Sequence, residues 1–347
     1  MEKKILKKIK EYDNHFKVIP LNNSAAKLNG YIAIHKIRNK YPSFGATRFF
    51  KYKTNKEALR DALRLSKLMS YKSALAGLPY GGAKATIIEP KGKYDRDKLF
   101  KAYTEELSKI KNKFITGTDV GVTLEDLKKM KTLAPNLVGF NVNPEYATAY
   151  GIKLSIDEAL KHVYGNKNYN KRSFAIAGVG KVGGELLPLL IKAGVKNIFV
   201  ADIDKSRIKI IKKKYPLVKV VSPSLIHKKK VDVYSPCAMA NALSKKTIKE
   251  LNCKMIVGSA NNQLESEEIG DKLHKMGILY CPDYIVNAGG LISVVDEYKY
   301  DKRNKARLNK LVKKVQLTLA KILIISKKTN LPTYKVAQEI GIKIIKD

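Results

Sequence analysis

The sequence predicts an α/β protein of two domains. An N-terminal α/β unit precedes a doubly wound parallel sheet, with a cleft between them. Three observations carry this expectation. The chain has 347 residues, more than one hydrophobic core usually serves. Its C-terminal two thirds alternate short apolar runs with helical stretches, as parallel strands joined by crossover helices do. One strand-to-helix junction also carries three glycines spaced G-x-G-x-x-G.

Taken in order, YIAIHKI and ATRFFKY read as strands. Residues 57–69 place Ala58, Ala62, Leu65 and Met69 on one face of a helix. Residues 1–140 are expected to form the first domain and residues 141–331 the second. In the second, the strand Phe174–Ala177 leads into Gly178-Val179-Gly180-Lys181-Val182-Gly183 and a helix. Pro188 inside that helix costs about 3 kcal/mol relative to Ala and predicts a kink. The strand Asn197–Ala201 ends in Asp202, and KSRIKIIKKK continues as a helix. VDVYSPCA, MIVGSAN and GILYCPDYIVNAGG supply the remaining apolar runs of the sheet. Residues 305–328 and 333–346 read as amphipathic helices, and the helix within 332–347 is expected to pack back on the first domain.

The glycine loop is a Rossmann dinucleotide fingerprint. The first glycine permits the tight turn, the second lets backbone approach a pyrophosphate, and the third allows close helix packing. Lys181 and Val182 open the helix whose amides would face the phosphate. Asp202 stands where a carboxylate would accept the adenine ribose hydroxyls and repel a 2′-phosphate. That favours NAD, while Lys205 and Arg207 pull the other way.

Composition excludes several classes. Hydrophobic residues make up 44% and charged residues 29%, which rules out a disordered or fibrous chain. No apolar run reaches the roughly 20 residues of a membrane helix, and the N-terminus lacks the apolar stretch of a signal peptide, so no membrane partner and a cytoplasmic location are expected. Cys237, Cys253 and Cys281 show no metal-ligand spacing and the histidines are scattered, so no metal is expected. The net charge of +37 would suit a polyanion, but 59 of the 68 basic residues are lysine and only 9 arginine. With no aromatic interleaving, the charge reads as a solvated surface rather than a specific nucleic-acid site.

In the first domain, Met69-Ser-Tyr-Lys72-Ser-Ala-Leu-Ala-Gly77-Leu-Pro-Tyr-Gly81-Gly82-Ala-Lys84 sets two lysines among small residues. Burial of Lys84 beside a second cation would lower its pKa toward that of a base working near neutral pH. This stretch resembles the glutamate/leucine/phenylalanine/valine dehydrogenase family, most of all its leucine and phenylalanine branch. The resemblance extends through Gly45-Ala46-Thr47-Arg48-Phe49, Thr116-Gly117-Thr118-Asp119-Val120-Gly121, Thr148-Ala149-Tyr150-Gly151, the glycine loop, Ser235-Pro236-Cys237-Ala238, Ala260-Asn261-Asn262-Gln263-Leu264, Pro282-Asp283-Tyr284 and Asn287-Ala288-Gly289-Gly290. In order and spacing it covers roughly residues 30–340.

The resemblance implies NAD-dependent, reversible oxidative deamination of an amino acid to the 2-oxo acid and ammonia, by a homo-oligomer. It implies that Lys72 pairs with the substrate carboxylate, Lys84 activates the attacking water, and Asp119 exchanges protons with the amine. It also places Gly45 and Asn262 beside the substrate, and Thr148, Cys237, Ala238, Asn262 and Asn287 beside the cofactor. The residues alone leave other roles open: Asp119 as a turn or capping residue, Asn261 and Asn262 closing a turn, and Cys237 as a small packing residue. A non-catalytic, polyanion-binding protein on the same scaffold is the competing reading. The chain departs from the family pattern at Ala46, a glycine in leucine-type members, and at Glu145-Tyr146, which replace Ser-Pro. By the same resemblance, Phe44, Gly117, Leu291 and Val294 face the substrate side chain. Glutamate-specific members carry Lys and Ser where this chain has Phe44 and Val294, and a carboxylate buried there without a partner would cost several kcal/mol. A broad hydrophobic preference is therefore expected, leucine, valine, isoleucine or phenylalanine.

Overall fold

The protein is described by a computed structural model that covers residues 1–38, 40–238, 240–300 and 302–346. Asp347, the last residue of the expected C-terminal helix, lies outside the described residues. The chain forms two compact units. One comprises Met1–Val142, Val294–Arg303 and the residues from Gly341 on, and the other Asn143–Ser293 and Asn304–Ile340.

The first unit contains α1 (Lys3–Leu6), β1 (Lys17–Asn23), β2 (Leu28–Ile34), β3 (Ser43–Phe44), β4 (Thr47–Phe50), α2 (Asn55–Leu75), β5 (Gly81–Ile88), α3 (Arg96–Lys109), β6 (Phe114–Ile115) and α4 (Leu124–Met130). Its mixed sheet has the order β1-β2-β5-β3-β6, with β4 also paired to β5. β5 is thus the central strand, antiparallel to β2 and parallel to β3 and β4. Strand alternation sorts its residues onto two faces. Ala83, Ala85 and Ile87 join Leu99, Phe100 and Tyr103 of α3 in the larger core. Gly82, Lys84 and Thr86 face α2, where the Gly82 amide donates to Ser70 Oγ at 2.9 Å and Thr86 Oγ1 donates to the Ala58 carbonyl at 3.1 Å.

Helix α2 starts at a Thr54 cap that accepts from the Glu57 amide. Its buried face includes Ala58, Ala62, Leu65, Ser66, Ser70 and Ser73, while Met69, expected on that face, is only half-buried. The small residues let the helix come down close on β5. A Cβ at Gly82 would stand 2.1 Å from the Ser70 nitrogen and 2.5 Å from the Ser66 carbonyl oxygen. Gly82, two residues before Lys84, therefore serves the helix–strand approach.

At the edge of this seam lies a polar cluster. His15 and His35 are 4% and 1% exposed, with ring centroids 4.8 Å apart. The backbone amide of Asp13 donates to His15 Nδ1 at 3.1 Å, so that nitrogen carries no proton and Nε2–H donates to the Leu63 carbonyl at 3.0 Å. His35 lies between Ser70 Oγ, 2.9 Å from Nδ1, and Asp13 Oδ2, 3.3 Å from Nε2. Lys67 closes the cluster at 3.1 Å from Asp13. Burial pushes the His15 pKa down to about 4, with His35 beside it acting in the same direction, and burial lowers His35 as well.

The second unit contains α5 (Pro144–Tyr164), β7 (Ser173–Ala177), α6 (Lys181–Lys192), β8 (Asn197–Ala201), α7 (Lys205–Lys214), β9 (Lys219–Val220), β10 (Val231–Pro236), β11 (Cys253–Ile256), α8 (Glu267–Lys275), β12 (Leu279–Tyr280), α9 (Asp283–Val286), α10 (Gly289–Lys299), α11 (Lys305–Thr329) and α12 (Thr333–Lys346). α10 and α12 each run past the unit's boundary, at Ser293 and Ile340. The six strands are all parallel, in the order β12-β11-β10-β7-β8-β9. The order reverses between β7 and β10, the topological switch point at which doubly wound sheets bind ligands. α6 continues through Pro188 to Lys192. The run expected to continue as sheet after Tyr280 is instead helical from Asp283, because the Asp283 carboxylate accepts from Tyr280 Oη and from the Asn262 amide and so turns the chain out of the sheet.

Candidate functional site

Two groups of side chains stand out, one in each unit. In the first, Lys84 is 6% exposed in the middle of β5. Its Nζ lies 2.5 Å from Asp119 Oδ2. Asp119 comes from the segment after β6, which runs beside β4: the Thr47 amide donates to the Gly117 carbonyl at 3.0 Å, and the Phe49 amide donates to the Val120 carbonyl at 2.9 Å. The Asp119 carbonyl accepts from the Val122 amide at 3.0 Å, so the residue does sit in a turn. The cap of α4, however, is Thr123, in a capping box with Asp126, which leaves the Asp119 carboxylate for the lysine.

A residue outside the expected set holds the same carboxylate. Arg48 Nε donates to Asp119 Oδ2 at 3.0 Å, and Arg48 Nη1 donates to Asp61 Oδ2 at 2.9 Å. Asp61, on α2, also accepts from Tyr52 Oη at 2.7 Å and from Arg64 at 2.7 Å. Thr86, the β5 residue opposite Arg48, shares the α2-facing side of the sheet, which is why one strand arginine reaches both carboxylates. Burial lowers the Lys84 pKa, Asp119 opposes that, and Arg48 adds to the lowering. Burial raises the Asp119 pKa, but Lys84 and Arg48 outweigh it and hold the carboxyl at about 2. The pair is thus an ionised carboxylate against a lysine whose proton is weakly held, a combination suited to proton transfer.

The other expected residues of this unit lie on α2, on α10 and at the β3 and β6 end of the sheet. Lys72 lies half-buried in the last turn of α2. Phe44 is fully buried, 4.6 Å from Tyr80 and 5.3 Å from Tyr298 between ring centroids. Gly45 pairs through its amide with the Ile115 carbonyl, and Val294 is half-buried. A Cβ at Gly117 would stand 3.0 Å from the Val138 carbonyl oxygen. Val138 itself is fixed where its amide meets the Thr116 carbonyl, and the amides of Gly139, Phe140 and Asn141 all donate to the Glu297 carboxylate just beyond.

In the second unit the glycine loop has the form its spacing predicts. Gly178 adopts φ +95°, and a Cβ there would meet Ala238 Cβ at 2.7 Å; one at Gly183 would stand 2.0 Å from the Gly178 carbonyl oxygen. This packing brings Cys237 and Ala238 against the loop. Burial raises the Cys237 thiol pKa, which makes it a poor nucleophile. Gly180 caps α6 with no side chain, so the first amides of the helix, at Lys181 and Val182, are free of side-chain capping and suit an anion. Asp202 accepts from the Val179 amide at 2.9 Å and from Arg207 Nη1 at 3.1 Å, so the carboxylate also pins the loop.

At the other end of this unit, Thr148 Oγ1 donates to the Pro144 carbonyl at 2.6 Å, which leaves its oxygen as an acceptor. Asn287 is 6% exposed, with Nδ2 donating to the Asn261 side chain at 3.0 Å and Oδ1 buried without a partner. Asn262 adopts φ +53° and its carbonyl accepts from the Asn241 amide at 2.8 Å, so it closes a turn as well. Leu291 is 7% exposed on α10. An orphaned acceptor, an uncapped helix N-terminus and a glycine cradle fit a dinucleotide that brings a pyrophosphate and an amide donor. Among the described residues no group of three or more His, Cys, Asp or Glu side chains could hold a metal ion.

Comparison with known proteins decides the family. The model for the Glu/Leu/Phe/Val dehydrogenase dimerisation domain matches residues 10–134, and that for Glutamate/Leucine/Phenylalanine/Valine dehydrogenase matches residues 200–347. The chain belongs to the Glu/Leu/Phe/Val dehydrogenase family. It is 36% identical to leucine dehydrogenase of Bacillus cereus, over 98% of this chain and 93% of the relative. It is 39% identical to phenylalanine dehydrogenase of Thermoactinomyces intermedius, over 82% of this chain and 79% of the relative. The crystal structure of L-tryptophan dehydrogenase from Nostoc punctiforme superposes with a TM-score of 0.86 at 33% identity, covering 99% of this chain and 98% of that one. The hetero-hexameric glutamate dehydrogenase of Thermus thermophilus, at 18% identity and a TM-score of 0.74, shares the fold over 99% of this chain and 93% of that chain. The protein is accordingly an amino-acid dehydrogenase, an oxidoreductase with the family's dinucleotide-binding domain. No helix of the described residues is long and apolar enough to cross a membrane.

Proposed function

We propose that this family member oxidises a hydrophobic L-amino acid, leucine, valine, isoleucine or phenylalanine, with NAD, giving the 2-oxo acid and ammonia reversibly. The observation that carries the reading is the pairing of buried Lys84 on β5 with Asp119 from the segment after β6, backed by Arg48. Relatives named for leucine and phenylalanine, and a structural neighbour named for tryptophan, support the hydrophobic class. Phe44, enclosed by Tyr80 and Tyr298, offers no cation to a side-chain carboxylate.

In this reading Lys72 pairs with the substrate carboxylate and fixes the Cα. Bound in the second unit, the nicotinamide supplies the acceptor for the Cα hydride. Gly178, Gly180, Lys181, Val182 and Gly183 cradle the pyrophosphate, Asp202 accepts the ribose hydroxyls, and Thr148 and Asn287 receive the carboxamide. Cys237 and Ala238 wall the loop, and Asn262 stands toward the substrate. Lys84, its proton held weakly by burial, gives that proton up and in its neutral form takes one from the attacking water. Asp119, held ionised, accepts and returns protons at the departing amine. The family's dimerisation domain supports a homo-oligomer, and a cytoplasmic location belongs to the same reading.

The test is a panel of amino acids assayed with NAD and NADP by absorbance of the reduced cofactor, on wild type and Lys84→Ala. Turnover of hydrophobic amino acids is expected to fall by roughly 10²-fold or more in the variant, as for a lost general base, with cofactor binding by calorimetry unchanged. Near wild-type kcat in Lys84→Ala would refute the assignment.

A further inference from the structure

The reading above uses Lys84 and Asp119 and leaves Arg48 and Asp61 without a part. We propose that Arg48, anchored by Asp61, is a positioning residue that fixes the orientation and the charge balance of the Lys84–Asp119 pair. The inference rests on that pair being the proton-transfer group.

Arg48 does not merely neighbour the pair. It shares one oxygen with the lysine: Asp119 Oδ2 lies 2.5 Å from Lys84 Nζ and 3.0 Å from Arg48 Nε. With two cations on one oxygen, Asp119 does not depend on Lys84 for its charge. The other arm of the guanidinium is held 2.9 Å from Asp61 Oδ2, and Asp61 is itself held by Tyr52 Oη and Arg64. Arg48 is 22% exposed in its side chain and Asp61 14%, so these charges are only weakly screened by water. A planar fork with fixed donors suits a bridge that sets the angle between two carboxylates, whereas a lysine is a point charge on a flexible stem and fixes no such geometry.

The consequence is a charge argument with a sign. Lys84, Arg48, Asp119 and Asp61 sum to zero while the lysine is charged, and Arg64 adds one positive charge on the far oxygen of Asp61. Removing Arg48 leaves Lys84 as the one cation on Asp119, with Asp61 held by Arg64, and the lysine then keeps its proton to higher pH. Removing the charge of Asp61 leaves Arg48 less compensated, and Lys84 sheds its proton at lower pH. A residue that only supported the fold would lower activity in both variants without moving the two profiles in opposite directions.

The experiment measures kcat/KM for oxidative deamination of leucine against pH in wild type, Arg48→Gln, Arg48→Lys and Asp61→Asn, each checked for its circular dichroism spectrum and oligomer size. Amine ionisation of leucine is common to all four and cancels in the comparison. The limb for loss of the Lys84 proton is expected to move up by about one pH unit in Arg48→Gln, in line with the one to three units a neighbouring charge exerts. It should move down in Asp61→Asn and stay near its wild-type position in Arg48→Lys, with kcat reduced in the last because the fork is gone. If Arg48→Gln fails to fold, the direction of the Asp61→Asn limb decides. Limbs that coincide with wild type, or that move the same way in Arg48→Gln and Asp61→Asn, overturn the proposal. An active Lys84→Ala would instead overturn the reading beneath it, so the two failures are distinguishable.

Discussion

Acid should loosen the first unit through the His15–His35 cluster, and the size of the effect follows from the hydrogen bonds. His15 Nδ1 accepts a backbone N–H, so the ring can take a second proton only by giving up that bond. The charge would then lie 4.8 Å from the His35 ring, with Lys36 on the same side of the balance and the Leu63 carbonyl and Asp13 opposing. The folded-state pKa of His15, about 4, is below its ordinary value of 6.5. Between those values the unfolded chain binds more protons than the folded one, so stability is present above the unfolded pKa and is lost as pH falls. Proton linkage for this one group gives a loss of about 2 kcal/mol between pH 7 and 5, and about 3 kcal/mol by pH 4. His35 shifts in the same direction and adds to it. Asp13, whose carboxyl is depressed first of all by its bond to His35, begins to contribute as the pH falls into the ordinary carboxylate range. The perturbation is His15→Gln, which keeps an N–H donor for the Leu63 carbonyl and cannot titrate. Thermal unfolding by circular dichroism at pH 7 and pH 5 reads the result, with about 2–4 °C per kcal/mol for a unit of this size. His15→Gln should be less stable than wild type at pH 7, and the gap should shrink by about 2 kcal/mol at pH 5. A gap that stays constant between the two pH values would show that His15 is not held neutral by the fold.

Two further predictions concern specificity. Asp202→Ser should lower the NAD over NADP ratio in kcat/KM by about tenfold, and Arg207→Ala should raise it, since the two side chains lie 3.1 Å apart with opposite charge at the position proposed for the ribose; ratios unmoved in both would place the adenine ribose elsewhere. Gly117→Ala, whose new methyl meets the Val138 carbonyl at 3.0 Å, should reduce kcat/KM for phenylalanine by about tenfold and for leucine by less; equal losses would mean the methyl displaces the loop rather than narrowing a pocket.

The second unit was largely legible in the sequence because its signals are local. A glycine fingerprint between strand and helix, Asp202 at the next strand end, and the periodic runs that became α11 and α12 each lie within a few turns of chain. The first unit was less so. The central strand β5 begins with two glycines and carries a lysine mid-strand, a poor strand signature, and it forms because α2 covers one face, the α3 core the other, and β2, β3 and β4 pair along its edges. Met69 was expected on the buried face of α2, but the serines there find partners, in the Gly82 amide, the Tyr80 carbonyl and the Leu63 carbonyl, that no helical periodicity reveals. The run after Tyr280 looked like strand on apolarity alone, but Pro282 and the Asp283 carboxylate, which accepts from Tyr280 and Asn262, start a helix there. Lys84 and Asp119 were found by resemblance. Arg48 was within a quoted motif and Asp61 in a predicted helix, but their pairing across 13 residues of sequence joins a strand to a helix and had no signal in either segment.

The close seating of α2 on β5 also determines how this protein can change over evolutionary time. A side chain at Gly82 would collide with helix backbone at 2.1 Å, and one at Gly45 with the Ala83 carbonyl oxygen at 1.8 Å. Substitutions at either position cost folding before they can alter chemistry, so lineages cannot drift through them. Gly117 is the exception among these three, since its missing methyl meets one carbonyl oxygen at 3.0 Å, a clearance that a shift of a few tenths of an ångström relieves. New substrate ranges in descendants of this chain should therefore accumulate at Gly117 and at the walls of the Phe44 enclosure, while the glycines packed around Lys84 stay unchanged whatever amino acid is being selected.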